Sequence, residues 1–122
     1  MRKLVAAAFV SLDGVMQAPG LATEDPTGGF AFGGWIAPHG DDATNAWAGE
    51  LFANPFDLVL GRKTYEIFAA YWPFMPADNP IAAPFNAATK YVATRQGAPL
   101  TWVNSVAMGD AAADVARLVP PC

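Results

Sequence analysis

The sequence predicts an α/β domain with a mostly parallel sheet and helices on its faces. Three observations carry that prediction. Short apolar runs ending at glycine or polar turn residues alternate with segments of helical periodicity. Of the 122 residues 53% are hydrophobic and only 15% charged, as strands covered on both faces require. Residues 56–72 pass from strand through a glycine to helix without a break, the unit from which parallel sheets are built.

Each element follows in chain order. Residues 3–10 form a short apolar run ending at Ser11-Leu12-Asp13-Gly14, as a buried strand and its turn would. Residues 17–40 carry Pro19, Gly20, Pro26, Gly28, Gly29, Gly33, Gly34, Pro38 and Gly40, so a long irregular loop is expected there, of a kind that is usually functional. Asp41 or Asp42 caps a helix with Ala43, Trp47 and Leu51 on its apolar face, ending before Pro55. Residues 56–60 read as a second buried strand. After Gly61, residues 64–72 read as a helix with Tyr65, Phe68 and Trp72 on one face, stopped by Pro73. A loop over 76–84, a strand over 90–94, a short strand over 100–103 and a helix capped by Asp110 and running to Leu118 complete the order.

The length suits one domain over residues 1–122, able to bury roughly two-thirds of the surface its unfolded chain exposes. The net charge is −4 and the basic residues are scattered apart from Arg62-Lys63, which argues against nucleic-acid binding. A single cysteine, Cys122, cannot make an intramolecular disulfide and fits a reducing cytoplasm, and one histidine with one cysteine makes no metal cluster. The Met1-Arg2-Lys3 start reaches Asp13-Gly14 too soon for a signal peptide, and no apolar run approaches the roughly 18 residues that a membrane span needs. A soluble cytoplasmic protein without nucleic-acid or membrane partners is expected.

The sharpest local signal is Leu58-Val59-Leu60-Gly61-Arg62-Lys63-Thr64-Tyr65-Glu66. A helix N-terminus offers orphan N–H groups and a partial positive charge, here joined by two cations and a hydroxyl, so an anion could dock there. The plainer reading has Gly61 turning the chain, Thr64 capping the helix and both cations in water. Asp13 stands at the end of the first expected strand, where open α/β sheets place ligand contacts, although an Asp-Gly turn alone explains it. Trp35 follows Gly33-Gly34, glycines that let backbone approach a ligand, and its ring could cover a flat heterocycle or fold over the core. His39 sits alone in a Pro-Gly loop, and Asp41, Asp42 and Glu50 read as a solvated helix face with its cap. Neither a Ser-His-Asp nor a Cys-His arrangement is available.

Together, Ser11-Leu12-Asp13-Gly14, Gly33-Gly34-Trp35, the Asp57 to Glu66 run and Tyr71-Trp72-Pro73 resemble the dihydrofolate-reductase-like proteins of the riboflavin-biosynthesis reductase type, the C-terminal domain of the bifunctional deaminase-reductase. The likeness runs from Met1 to about Leu118. It implies a dihydrofolate-reductase-like three-layer α/β/α fold and NADPH as hydride donor to a small heterocyclic substrate. On that resemblance Gly61, Arg62, Lys63 and Thr64 lie near the cofactor phosphates and Thr94 and Arg95 near the adenosine 2′-phosphate. Trp35 with Ala8 and Phe9 lies by the nicotinamide, Asp13 on the substrate side, and the 17–40 loop forms a lid. The acid that true dihydrofolate reductases carry on the helix before the Gly-Arg strand has no match, which argues against folate as substrate.

Family members continue beyond the last helix with a strand, a Gly-rich turn, a further helix and more strands, whereas this chain stops at Val119-Pro120-Pro121-Cys122. The resemblance therefore implies that the family's C-terminal strands are lacking, one of them from inside the sheet, leaving unpaired edges. Two functions follow. One is an NADPH-dependent reductase completed by another segment or partner, expected as a homo-oligomer such as a dimer. The other is a non-catalytic remnant or interaction module that keeps the half-sheet.

Overall fold

The computed structural model describes residues 2–95, 97–119 and 121, so Pro120 and Cys122 of the chain's end lie outside the described residues. The protein is α/β. Its regular elements are α1 (Asp42–Leu51), β1 (Leu58–Gly61), α2 (Arg62–Ala69), α3 (Ala82–Ala87), β2 (Lys90–Ala93), β3 (Ser105–Met108) and α4 (Ala111–Leu118), with 3-10 turns at Thr27–Gly29, Ala37–His39 and Trp72–Phe74. The three strands form one parallel sheet in the order β1-β2-β3. Two compact units divide the chain, residues 1–3 with 48–122 and Leu4–Trp47, the boundary falling within α1.

In the larger unit the register sets Leu58 against Lys90 and Ser105, and Leu60 against Val92 and Ala107. Partners in register share a face, and alternate residues take the other. The Leu60–Val92 face is covered by Tyr65 of α2, Phe85 of α3 and Trp102, which together form the buried core. Phe85 is its hub: Phe52, Phe56, Phe68 and Trp72 surround its ring at centroid distances of 5.0, 5.8, 5.8 and 5.1 Å. On the opposite face Val59 and Val106 are exposed, and α4 flanks Tyr91 and Val106 through Asp114, Arg117 and Leu118. Helices thus lie on both sides of the sheet. Arg2 pairs with Asp57 just ahead of β1.

Lys90 is fully buried on the core face. Its ammonium donates to the carbonyls of Asn86, Ala88 and Val103 at 2.9, 2.8 and 3.0 Å, and lies 4.2 Å from the centre of the Trp102 ring. Three acceptors match three N–H donors, and two of them are carbonyls at the C-terminal end of α3, where a cation is favoured. Burial still pushes the ammonium down to about 8. Asn86 joins the same cluster, accepting from the Trp102 indole at 2.7 Å and donating to the Trp72 carbonyl at 3.2 Å.

Three expected boundaries move. The helix after Gly61 begins at Arg62 and ends at Ala69; Trp72 lies in the following 3-10 turn but keeps its place on the Phe68–Phe85 cluster. The last strand lies over Ser105–Met108, not 100–103, because Trp102 turns inward and Asn104, at φ 59°, bends the chain before the ladder begins. The expected 76–84 loop leads into α3, opened by Asn79 Oδ1, which accepts from the N–H groups of Ile81 and Ala82.

Residues 3–10, all but Lys3 in the smaller unit, are not a strand. They lie exposed and without regular structure, including Leu4, Val5, Phe9 and Val10, because an apolar run becomes a strand only where an edge accepts its backbone ladder. The 17–40 loop, by contrast, is closed on itself. Gly34 N–H donates to the Ala18 carbonyl and Ile36 N–H to that of Pro19, while Trp35 Nε1 donates to the Gln17 carbonyl. Glu24 Oε2 accepts from the N–H groups of Gly20 and Leu21 at 2.7 and 2.9 Å, and Gln17 Nε2 bridges the carbonyls of Asp25 and Thr27. Asp41 Oδ1 takes the Thr44 N–H at 2.8 Å ahead of α1, a bond that holds this carboxyl below its ordinary range.

Candidate functional site

Parallel strands all present their carboxyl ends at one edge, and here that edge is the row Gly61, Ala93, Met108, in register across the sheet. The loops that follow are therefore neighbours, the position at which open α/β sheets bind ligands. Gly61 passes directly into α2 in extended backbone, with φ −71° and ψ 158°, so Arg62, Lys63 and Thr64 form the first helical turn. Thr64 is consequently inside the helix and not its cap. Gly61 makes no side-chain cap bond, and the positive end of α2 favours an anion there. The other helix opening on this edge, α4, is capped: Asp110 Oδ1 accepts from Ala113 N–H at 3.0 Å. Of the two, α2 is the one that favours a phosphate.

Beside it a cleft of about 210 Å³ is lined by Ala93, Thr94, Arg95, Met108, Gly109 and Ala111. The Thr94 N–H donates to the Met108 carbonyl at 3.3 Å, which draws the ends of β2 and β3 together at the cleft floor. Neither Gly61 nor Gly109 is required by the protein's own packing, since a Cβ at either would meet nothing within 4 Å and neither has a positive φ. Open space stands over both.

Arg62 is less exposed than the sequence suggested. Its Nε donates to Glu66 Oε1 at 2.8 Å, its Nη1 to the Ala98 carbonyl at 3.1 Å, and its guanidinium carbon lies 5.9 Å from the Tyr65 ring centre. With 16% of its side chain accessible, it bridges α2 and the loop after β2. Glu66 is visible from the sequence as an i,i+4 partner of Arg62; Ala98 is not, because a carbonyl contact across 36 residues leaves no residue-type signature.

The remaining expected site residues belong to the smaller unit. Asp13 is exposed in a turn closed by Ser11, whose Oγ donates to the Asp13 carboxylate and accepts the Val15 N–H at 2.8 Å, with Gly14 at φ 89°. Trp35 is half-buried and pinned through its indole to Gln17. Ala8 and Phe9 are exposed. Gly33 serves the protein itself, since a Cβ there would come within 2.4 Å of the Ala22 carbonyl oxygen. Its absence of a side chain answers to backbone on backbone, not to a ligand.

Among the described residues no group of three or more His, Cys, Asp and Glu could hold a metal ion, and no helix is long and apolar enough to cross a membrane. No curated protein matches the chain. The family model described as the RibD C-terminal domain matches residues 2–117.

Proposed function

The chain belongs to the RibD C-terminal domain family, and from that premise we propose that it is an NADPH-dependent reductase of the riboflavin-biosynthesis type, transferring hydride to a small heterocycle. The observation that carries the reading is the carboxyl edge of the sheet, where α2 with Arg62 and Lys63 stands beside the cleft of Thr94 and Arg95. The first turn of α2 would hold the cofactor phosphates through backbone N–H groups, the Thr64 hydroxyl and the Lys63 charge. Arg95 would take the adenosine 2′-phosphate. A cleft of about 210 Å³ suits a phosphorylated ribose and not a whole dinucleotide, whose sites are several times larger.

Bound NADPH supplies the hydride. The chain's part is to hold the nicotinamide against the substrate and to exclude water, tasks for Trp35, Ala8, Phe9 and the closed 17–40 loop. Asp13 offers an exposed carboxylate to polar N–H groups of the substrate ring. We read the active species as a homo-oligomer.

A second reading, a non-catalytic interaction module, is favoured by the exposed Leu4, Val5, Phe9 and Val10 and by the outer edge of β1, which has no partner among the described residues. Thermal denaturation with NADPH or NADH separates the two, because a ligand of the folded state raises the melting temperature with occupancy. The reductase reading expects stabilisation by NADPH well above that by NADH. No shift with either, together with concentration-dependent association in light scattering, would favour the interaction module.

A further inference from the structure

The loop joining β2 to β3 carries Arg95 at its start and Trp102 near its end, and α2 grips it at two points. Arg62 Nη1 donates to the Ala98 carbonyl at 3.1 Å, and the Tyr65 hydroxyl accepts the Trp102 N–H at 2.9 Å. Both grips come from one helical face, three residues apart. The Arg62 grip is itself oriented from the other side by Glu66, 2.8 Å from Nε. Tyr65 is 2% exposed, so its hydroxyl cannot reach any ligand at the sheet edge. The cost of freeing the loop falls on Arg95, an exposed side chain with no regular element to fix it.

We propose that Arg62 and Tyr65 are positioning residues for cofactor selectivity: by fastening the 97–102 loop to α2 they set the place of Arg95, and discrimination for a 2′-phosphate passes through Arg95. The inference rests on the NADPH reading of this same cleft. It differs from a direct role for Arg62, whose Nε and one Nη1 hydrogen are already engaged inside the protein. Releasing either grip costs ordering of the loop whenever Arg95 must meet a phosphate. A cofactor without that phosphate makes no such demand.

The test measures dissociation constants for NADPH and NADH with wild type, Arg62→Ala, Tyr65→Phe, Arg95→Ala and the double variant Arg62→Ala/Arg95→Ala. Amide hydrogen exchange over residues 97–102 is followed in each cofactor-free protein. Tyr65→Phe is expected to lower the NADPH-to-NADH preference roughly five- to tenfold, equivalent to about 1–1.4 kcal/mol for the loss of one hydrogen bond. Exchange in the loop rises in the same variant. Arg62→Ala behaves alike, and adding it to Arg95→Ala causes no further loss of preference, since two groups acting through one another are not additive. Wild-type preference in Tyr65→Phe, or additive losses in the double variant, overturns the inference while leaving the cofactor reading intact. Wild type that binds neither cofactor overturns the cofactor reading and the selectivity role with it; unchanged loop exchange overturns the fastening itself.

Discussion

Gly61 and Lys90 show how differently single residues can be legible. The sequence marks Gly61 as a strand-to-helix turn, yet its φ of −71° and the open space over it mean that the turn does not require glycine. Gly61→Ala should therefore leave the melting temperature of the cofactor-free protein unchanged or slightly raised, because the unfolded chain loses freedom, while weakening NADPH by tenfold or more, of order 1.4 kcal/mol, where a methyl enters the phosphate's space. A destabilised free protein with wild-type affinity would remove the ligand from that space. In the sequence Lys90 marks only the start of a strand, since nothing in the neighbouring residue types announces three backbone acceptors. Its folded value of about 8 lies below the ordinary 10.5, so between these values the unfolded chain holds more protons than the folded one. The stability contributed by this group is thus lowest below about pH 8 and rises towards pH 10.5. Lys90→Met should cost a few kcal/mol at neutral pH by orphaning three carbonyls, and should abolish the rise in urea midpoint between about pH 7.5 and 9.5. An identical pH dependence in the variant would contradict the linkage.

Elements were legible where one local rule decided them. Asp110 and the eight residues after it read as a capped helix and fold as one, and Asp41 likewise stands at the start of α1. Rules failed where distant partners decided. The apolar run of residues 3–10 looks like a strand, but pairing is a property of an edge elsewhere in the chain. Pro84 argued for a loop, although a proline in the first turn of a helix loses no bond, and α3 begins only two residues before it. That short helix delivers Phe85 to the centre of the aromatic cluster, a place its sequence neighbours do not reveal. Phe85→Ala should destabilise the larger unit by about 3–5 kcal/mol, measurable as a fall in the urea midpoint with the slope preserved. A loss under about 1 kcal/mol would mean that the cluster closes without its hub.

For the molecule as a whole, the succession of strand, glycine and helix is sufficient to anticipate an α/β fold with a parallel sheet, whereas the grouping of Thr94 and Arg95 with Gly61, Arg62, Lys63 and Thr64 comes only from the family resemblance. The engagement of Arg62 by Ala98 and of Tyr65 by Trp102 is not legible in the sequence, because hydrogen bonds to main-chain atoms are blind to residue type. Asp13, Trp35, Ala8 and Phe9 stand in the smaller unit, each accounted for by its own turn, loop or exposed segment. The central claim is that a phosphorylated dinucleotide is held at the carboxyl edge of β1, β2 and β3. Its most direct test is a titration of the isotope-labelled protein with NADPH, followed by backbone amide chemical shifts. The account predicts that the amides of Gly61, Arg62, Lys63, Thr64, Thr94, Arg95, Gly109 and Ala111 move first and furthest. Saturable shifts confined to other residues, or none at all, would contradict it.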